Sequence, residues 1–331
     1  MEDRIDKKIN YSLQLLRFIL AFWVVLHHCC KKVIKFKGRF HIPTFMIMSF
    51  YFYYNTLKEQ NCFKIKQRFQ RISIPYIIWP IFTLIGNNIL FSCLGFSPCN
   101  KNLNIKDLLL QLVFGFNYHT VFYYQFILIF LTIIFSIISL LFKKNFIYIF
   151  QICLIVDYIF QYGFWSLYIF GANSRISYSL GMIFELCPFA VIGVTLHHLD
   201  VIPKLKNYKI LAIFFIVVIV FFILAFDIFV RIRGYFYPGV YLNIGGICIF
   251  ILFSLFSFQN KKVILILKKI TKFTGGIYYI HKICFSLLRV KISFIYNQTF
   301  HGSIMIYLIS YIICYLGDKL TYKTKLKFLF N

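Results

Sequence analysis

Two polar side chains, Arg17 and His28, interrupt the first long apolar stretch of the chain, which runs from Leu13 to Cys30. They are eleven positions apart, and eleven steps of about 100° overshoot three full helical turns by only about 20°. In a helix both side chains therefore lie on one face, about 16 Å apart along the axis. On that face His28 could act as a general base or carry an acyl group, and Arg17 could hold an anion.

A simpler explanation of this spacing stays open. Arg17 could extend to one membrane interface and His28 to the other, with no shared role. His27, at the adjacent position, is expected to point to another side of the helix.

Other charged groups in or near apolar stretches are also candidates for a functional site, because an unpaired charge inside a bilayer is costly. Arg68 and Arg71 share a helix face at i and i+3, and such a pair can bind phosphate groups or simply mark a cytoplasmic loop. His281 lies about two turns into a later apolar stretch, where it is either functional or a hydrogen-bonded core residue. Three acids could neutralise Arg17 or a histidine, and Glu185 is the most central of them, ahead of Asp157 and Asp227.

The elements that position these groups are predicted to be membrane-spanning helices in an all-α bundle. The 331 residues are 60% hydrophobic and only 14% charged, with a mean hydropathy of +0.78, which is typical of a multi-pass membrane protein. We predict a single domain over residues 1–331. Its ten spans fall at about residues 11–30, 41–57, 72–94, 121–142, 146–161, 178–198, 209–230, 238–257, 274–290 and 302–318.

The basic residues predict an orientation in the cell membrane. The formal charge of +26 comes mostly from short segments between apolar stretches, so it indicates topology rather than binding to nucleic acid. Lys and Arg concentrate in the loops that share a side with both termini, which predicts cytoplasmic N- and C-termini. The basic loop from Lys31 to Arg39 lies on the opposite side and argues against this orientation.

Smaller features complete the expectation. Residues 103–114 are too short and too amphipathic to cross, and they predict an interfacial helix. The ten cysteines show no CxxC spacing and mostly fall in apolar stretches, so we expect small buried side chains, with Cys93 and Cys99 as the one plausible disulfide. No metal-ligand spacing, P-loop or dinucleotide-binding glycine pattern occurs, so no metal or permanently bound cofactor is expected.

The chain resembles the acyltransferase-3 family of integral membrane acyltransferases, typified by bacterial polysaccharide O-acetyltransferases. The Arg17-x10-His28 spacing is similar to the opening of that family, and Arg68-x-x-Arg71 resembles its paired-arginine motif. Phe50 stands where the family usually has a glycine after Ser49, which puts in doubt a close approach of helices there. Three further segments carry the resemblance: residues 41–49, 185–193 and 274–281.

The resemblance implies transfer of an acyl group, most commonly acetyl, from acyl-CoA to a hydroxyl of a cell-surface polysaccharide or its lipid-linked precursor. In this interpretation Arg68 and Arg71 bind the coenzyme phosphates, Arg17 holds the acyl donor, and His28 acts as the base or acyl carrier. Glu185 and His281 complete the expected catalytic set. The expected partners are acyl-CoA, the glycan or lipid-linked saccharide, membrane lipid and further copies of the chain itself.

Two alternatives remain at this stage. A transporter or flippase for a lipid-linked saccharide would also need a buried arginine and histidine, along a translocation path rather than a catalytic one. A family member that has lost catalysis and acts as a membrane interaction protein is the other alternative. Transfer from acyl-CoA by the purified protein distinguishes the enzyme from both.

Overall fold

The computed structural model describes residues 10–30, 40–85, 105–114, 122–159, 175–232, 239–288 and 298–321, with residues 292, 295, 324, 329 and 330. Within these ranges the secondary structure is helical. The α-helices, in chain order, are α1 (Tyr11–Cys29), α2 (His41–Lys58), α3 (Cys62–Ile85), α4 (Ile105–Phe114), α5 (Tyr123–Phe142), α6 (Phe146–Ile159), α7 (Arg175–His198), α8 (Val201–Lys206), α9 (Lys209–Ile232), α10 (Gly239–Leu255), α11 (Lys261–Ile270), α12 (Thr274–Leu288) and α13 (Phe300–Thr321).

Each of the ten predicted spans falls on one of these helices, and the predicted short helix at residues 103–114 corresponds to α4. The largest difference concerns α3. It begins at Cys62, whereas the predicted span began at residue 72, and residues 86–94 of that span lie outside the described ranges. Arg68 and Arg71 are therefore part of the helix and do not precede it.

Three stretches of the described helices are both long and apolar enough to cross a membrane: Tyr11–Cys29, Tyr123–Val156 and Phe300–Thr321. The second contains a reversal at Lys143–Asn145, where Lys143 has a φ of 47°. The rings of Phe135 and Phe150 stack 4.0 Å apart across this hairpin. Shorter apolar helices cover Ile183–His198, Lys209–Ala225 and Ile244–Leu255.

The outer surface of α9 is apolar. Phe221 and Phe222 are 71% and 72% exposed, and Ile210 is 87% exposed. Large exposed apolar side chains along one helix are typical of a surface that contacts lipid rather than water. The fold is therefore that of a membrane protein.

The buried apolar side chains form two main clusters, and α1 contributes to both. The first cluster surrounds α2 and contains Leu16 and Leu20 of α1. The second surrounds α12 and α13 and contains Val25 and Cys29 of α1. The face that carries Arg17 and His28 therefore runs from one packed cluster to the other.

Glycines allow two helices to approach α2 closely. A Cβ atom at Gly193 of α7 would lie 2.4 Å from the backbone oxygen of Ile47, and one at Gly246 of α10 would lie 2.9 Å from Cβ of Pro43. Phe50, which replaces the expected family glycine on α2, is fully buried. The close approach is thus present, but the partner helices supply the glycines.

The eight cysteines in the described residues form no disulfide with one another. Most of them are buried or half-buried, while Cys62 and Cys153 are exposed. Cys93 and Cys99, the one pair predicted to form a disulfide, lie outside the described residues.

Candidate active site

Arg17 lies on α1, seven positions after the Asn10 side chain that caps the helix by accepting hydrogen bonds from the backbone of Ser12 and Leu13. The Arg17 side chain is half-buried. Its Nη1 donates a hydrogen bond to Oε1 of Gln14 at 3.2 Å, one turn earlier on the same helix.

His28 and His281 meet inside the bundle. Their rings stack with centroids 5.5 Å apart and planes inclined by 29°. His281 is fully buried, and its Nδ1 lies 3.1 Å from the carbonyl oxygen of Ile277. Because a carbonyl only accepts hydrogen bonds, Nδ1 of His281 carries the proton and Nε2 is the basic nitrogen of the neutral ring.

Two further histidines extend this pair. The His27 ring lies 5.6 Å from that of His28 and 5.7 Å from that of His41, the first residue of α2. His27 was expected to point to a different side of α1 from His28. On that side it meets the His41 ring, which α2 supplies. Among the described residues, no group of three or more His, Cys, Asp and Glu side chains has the arrangement needed to hold a metal ion.

Arg68 is held inside the bundle by neutral partners. Its Nη2 donates to Oγ of Ser49 at 2.8 Å, its Nη1 to the Ser49 carbonyl oxygen at 3.3 Å and its Nε to Oγ1 of Thr132 at 3.3 Å. The guanidinium also lies 4.2 Å from the ring centroid of Tyr53. Arg71 is exposed, one turn further along α3.

Tyr124 of α5 connects the arginines to the histidines. It is 7% exposed and lies within electrostatic range of both Arg17 and Arg68. Its ring is 5.9 Å from that of Tyr278, which in turn is 6.3 Å from that of His281. Buried Tyr124 and half-buried Tyr278 therefore form a line of aromatic groups that leads from the cationic end of the site to the stacked imidazoles.

Glu185, ranked first among the predicted acids, is exposed on α7. The structure therefore does not bring Glu185 together with Arg17 or the histidine pair. The side chains of Asp157 and Asp227 lie outside the described part of the structure. Of the predicted residues, His28 and His281 are in contact, while Arg17 and Arg68 each lie within electrostatic range of Tyr124.

A family model described as an acyltransferase domain matches residues 10–318. The chain belongs to the acyltransferase-3 family. No curated protein and no solved structure matches it. As a member of this family the chain is a membrane acyltransferase.

Sequence reasoning missed two parts of the candidate site. Tyr124 and Tyr278 carry no distinguishing signal in a chain with 24 tyrosines, and their role depends on three helices that are distant in sequence. His41 directly begins α2 and is 2% exposed. A buried polar residue at the start of an apolar helix was a detectable signal, but it pointed to no particular partner.

Proposed function

We propose that this acyltransferase moves an acyl group, most commonly acetyl, from acyl-CoA to a hydroxyl group of a cell-surface polysaccharide or of its lipid-linked precursor. The observation that carries the proposal is the stacked pair of His28 and His281 inside the bundle. His28 lies on the α1 face that also carries Arg17, about 16 Å away along the axis. A cationic site and a general base are thus held at a fixed separation.

That separation suits an acyl-CoA donor. The pantetheine arm between the diphosphate and the thioester contains two amide-linked units and spans roughly 15 Å when extended. A diphosphate bound at Arg17 therefore allows the thioester carbonyl to reach His28. The aromatic rings of Tyr124 and Tyr278 lie along the same path.

In the proposed reaction His28 removes the proton from the acceptor hydroxyl as the hydroxyl oxygen attacks the thioester carbonyl carbon. A carbon–oxygen bond forms, and the carbon–sulfur bond breaks when the tetrahedral intermediate collapses. The coenzyme thiolate leaves and takes up the proton held by His28. The products are the ester and free coenzyme A, and no metal or redox cofactor takes part in this balance.

His281 supports this step by keeping the neighbouring ring in place. Its hydrogen bond to the Ile277 carbonyl sets its own tautomer, and the stacked geometry fixes the plane of His28. A general base is effective only when its nitrogen is directed at the reacting proton. We assign His281 a positioning role.

Arg68 and Arg71 of α3 would contact different parts of the coenzyme. Arg71 is exposed and would bind the 3′-phosphate near the bundle surface, whereas Arg68 is turned inward to Ser49 and Thr132. One helical turn separates the two residues. Charge-assisted contacts to phosphate are among the strongest polar interactions in proteins.

Calorimetric titration of the purified protein with acetyl-CoA tests this donor site. The double variant Arg68→Ala with Arg71→Ala is expected to weaken binding at least tenfold, because each charged hydrogen bond contributes about 1.5–3 kcal/mol. Lys66→Ala, an exposed cation on the same helix, is the matched control and should bind as the unmodified protein does. Equal affinity in all three proteins would reject the phosphate-binding role.

A further inference from the structure

Arg17 and Arg68 place two positive charges inside the bundle without a carboxylate among their described partners. Arg17 bonds Gln14, and Arg68 bonds Ser49 and Thr132, all of which are neutral. The electrostatic partners of both guanidinium groups are likewise tyrosines. Buried charges that lack a counterion are strongly unfavourable, so this part of the bundle is suited to an anionic ligand.

Tyr124 lies within electrostatic range of both cations. The Tyr124 ring is 6.3 Å from the ring of Phe45 on α2. Phe45 lies one turn before Ser49, which accepts a hydrogen bond from Arg68. On the other side Tyr124 faces Tyr278 of α12, a helix that packs against α1. The Tyr124 hydroxyl makes no hydrogen bond to any described residue, although the residue is only 7% exposed.

We propose that the Tyr124 hydroxyl is a positioning group that donates a hydrogen bond to a diphosphate bound between Arg17 and Arg68. This inference rests on the proposed acyl transfer and adds to it a residue and a ligand group. Two guanidinium groups and a neutral phenol match the charge of a diphosphate and the donors that it requires. Arg71, at the surface, is not part of this inner site.

A diphosphate has two sources in the proposed reaction, namely the coenzyme and a lipid-linked saccharide acceptor. The length of the pantetheine arm favours the coenzyme, because it connects this site to His28. The Tyr124→Phe variant distinguishes the two, since it removes only the hydroxyl and keeps the packing against Phe45 and Tyr278.

With acetyl-CoA as donor, Tyr124→Phe is expected to raise KM for the donor about tenfold and to leave kcat within about twofold. With S-acetylpantetheine, which has no phosphate, the variant and the unmodified protein should have equal kcat/KM. A tenfold rise in KM for the acceptor instead would support the diphosphate site and assign it to the lipid-linked saccharide. An equal rise in KM for both donors, or no change in the KM of either the donors or the acceptor, overturns the proposal.

Tyr307→Phe is the matched control. Tyr307 is also a buried tyrosine whose hydroxyl has no hydrogen-bond partner in the described structure, but it packs edge-on against Phe18 and Phe22. Its substitution should leave both KM values unchanged.

A binding measurement that does not depend on turnover separates this inference from the proposed function. Inorganic pyrophosphate should bind the unmodified protein in a calorimetric titration, and Tyr124→Phe should bind it about tenfold more weakly. Failure of the unmodified protein to bind pyrophosphate at millimolar concentration overturns the inner site. Pyrophosphate binding without acyl transfer would keep the site and reject the proposed reaction.

Discussion

At the residue scale, the pairing of Arg17 with His28 follows from the sequence because both belong to one helix. A spacing of eleven positions fixes their relative direction wherever the helix packs. The contact between His28 and His281 could not be predicted in the same way, since it depends on how α1 and α12 pack. The same holds for Tyr124, which gains its neighbours from α1, α2, α3 and α12. Glu185 was chosen for its central place in a predicted span, and that criterion does not show which face of the helix a side chain occupies.

His281→Gln tests the positioning role at this scale. Glutamine keeps a polar side chain but removes the ring that stacks on His28, so kcat should fall about 100-fold while KM for acetyl-CoA stays unchanged. Steady-state kinetics on the purified protein measures both constants. His301→Gln, an exposed histidine on α13, should behave as the unmodified protein. A change in donor KM alone would contradict the role of His281 in positioning His28.

At the element scale, the long hydrophobic stretches of the sequence predicted the positions of the ten long helices in the described part of the chain. The start of α3 was missed because its first turns carry Lys64, Lys66, Arg68 and Arg71, which resemble a cytoplasmic loop. The folded bundle accommodates Arg68 by giving it hydrogen bonds to α2 and α5, and such long-range partners are invisible in a single sequence. Phe50 in place of the family glycine put a close helix approach to α2 in doubt, and Gly193 and Gly246 of the partner helices provide such approaches.

The adjacent glycines Gly245 and Gly246 of α10 provide a matched test of helix packing. Gly246→Ala would push a methyl group against Pro43 and Thr44, and we expect it to destabilise the protein by about 1–3 kcal/mol. At Gly245 the nearest side-chain atom is 3.9 Å away, so Gly245→Ala should be neutral or slightly stabilising. Thermal unfolding in detergent measures both. A lower Tm for Gly245→Ala than for Gly246→Ala would contradict the described contact between α10 and α2.

At the scale of the whole molecule, the all-helical bundle was predictable from composition and from the lengths of the apolar stretches. The separation of the buried side chains into two clusters was not, because it depends on which helices are neighbours. The two clusters are in contact at Tyr278, which packs against both of them. This contact matters for function because the Tyr278 ring lies between Tyr124 and His281. The line from the arginines to the histidines therefore leaves the first cluster, which contains Tyr124, at Tyr278, where the two clusters meet.

The predicted orientation belongs to this scale as well. Positive charges concentrate on the side of both termini, so a green fluorescent protein fused after Asn331 should fluoresce, and alkaline phosphatase fused there should be inactive. Paired fusions within residues 31–39, on the opposite side, should give the reverse result. Active phosphatase at the C-terminus would overturn the cytoplasmic assignment and place the proposed coenzyme site on the wrong side of the membrane.

The most direct test of the central claim is transfer of isotopically labelled acetyl groups from acetyl-CoA to cell-envelope glycan by the purified protein in lipid nanodiscs. The unmodified protein should label the glycan, and His28→Ala at the same protein level should reduce the initial rate about 100-fold or more. NMR of the glycan then locates the ester on a hydroxyl group. Labelling by His28→Ala at the unmodified rate would contradict the role of His28 as the base.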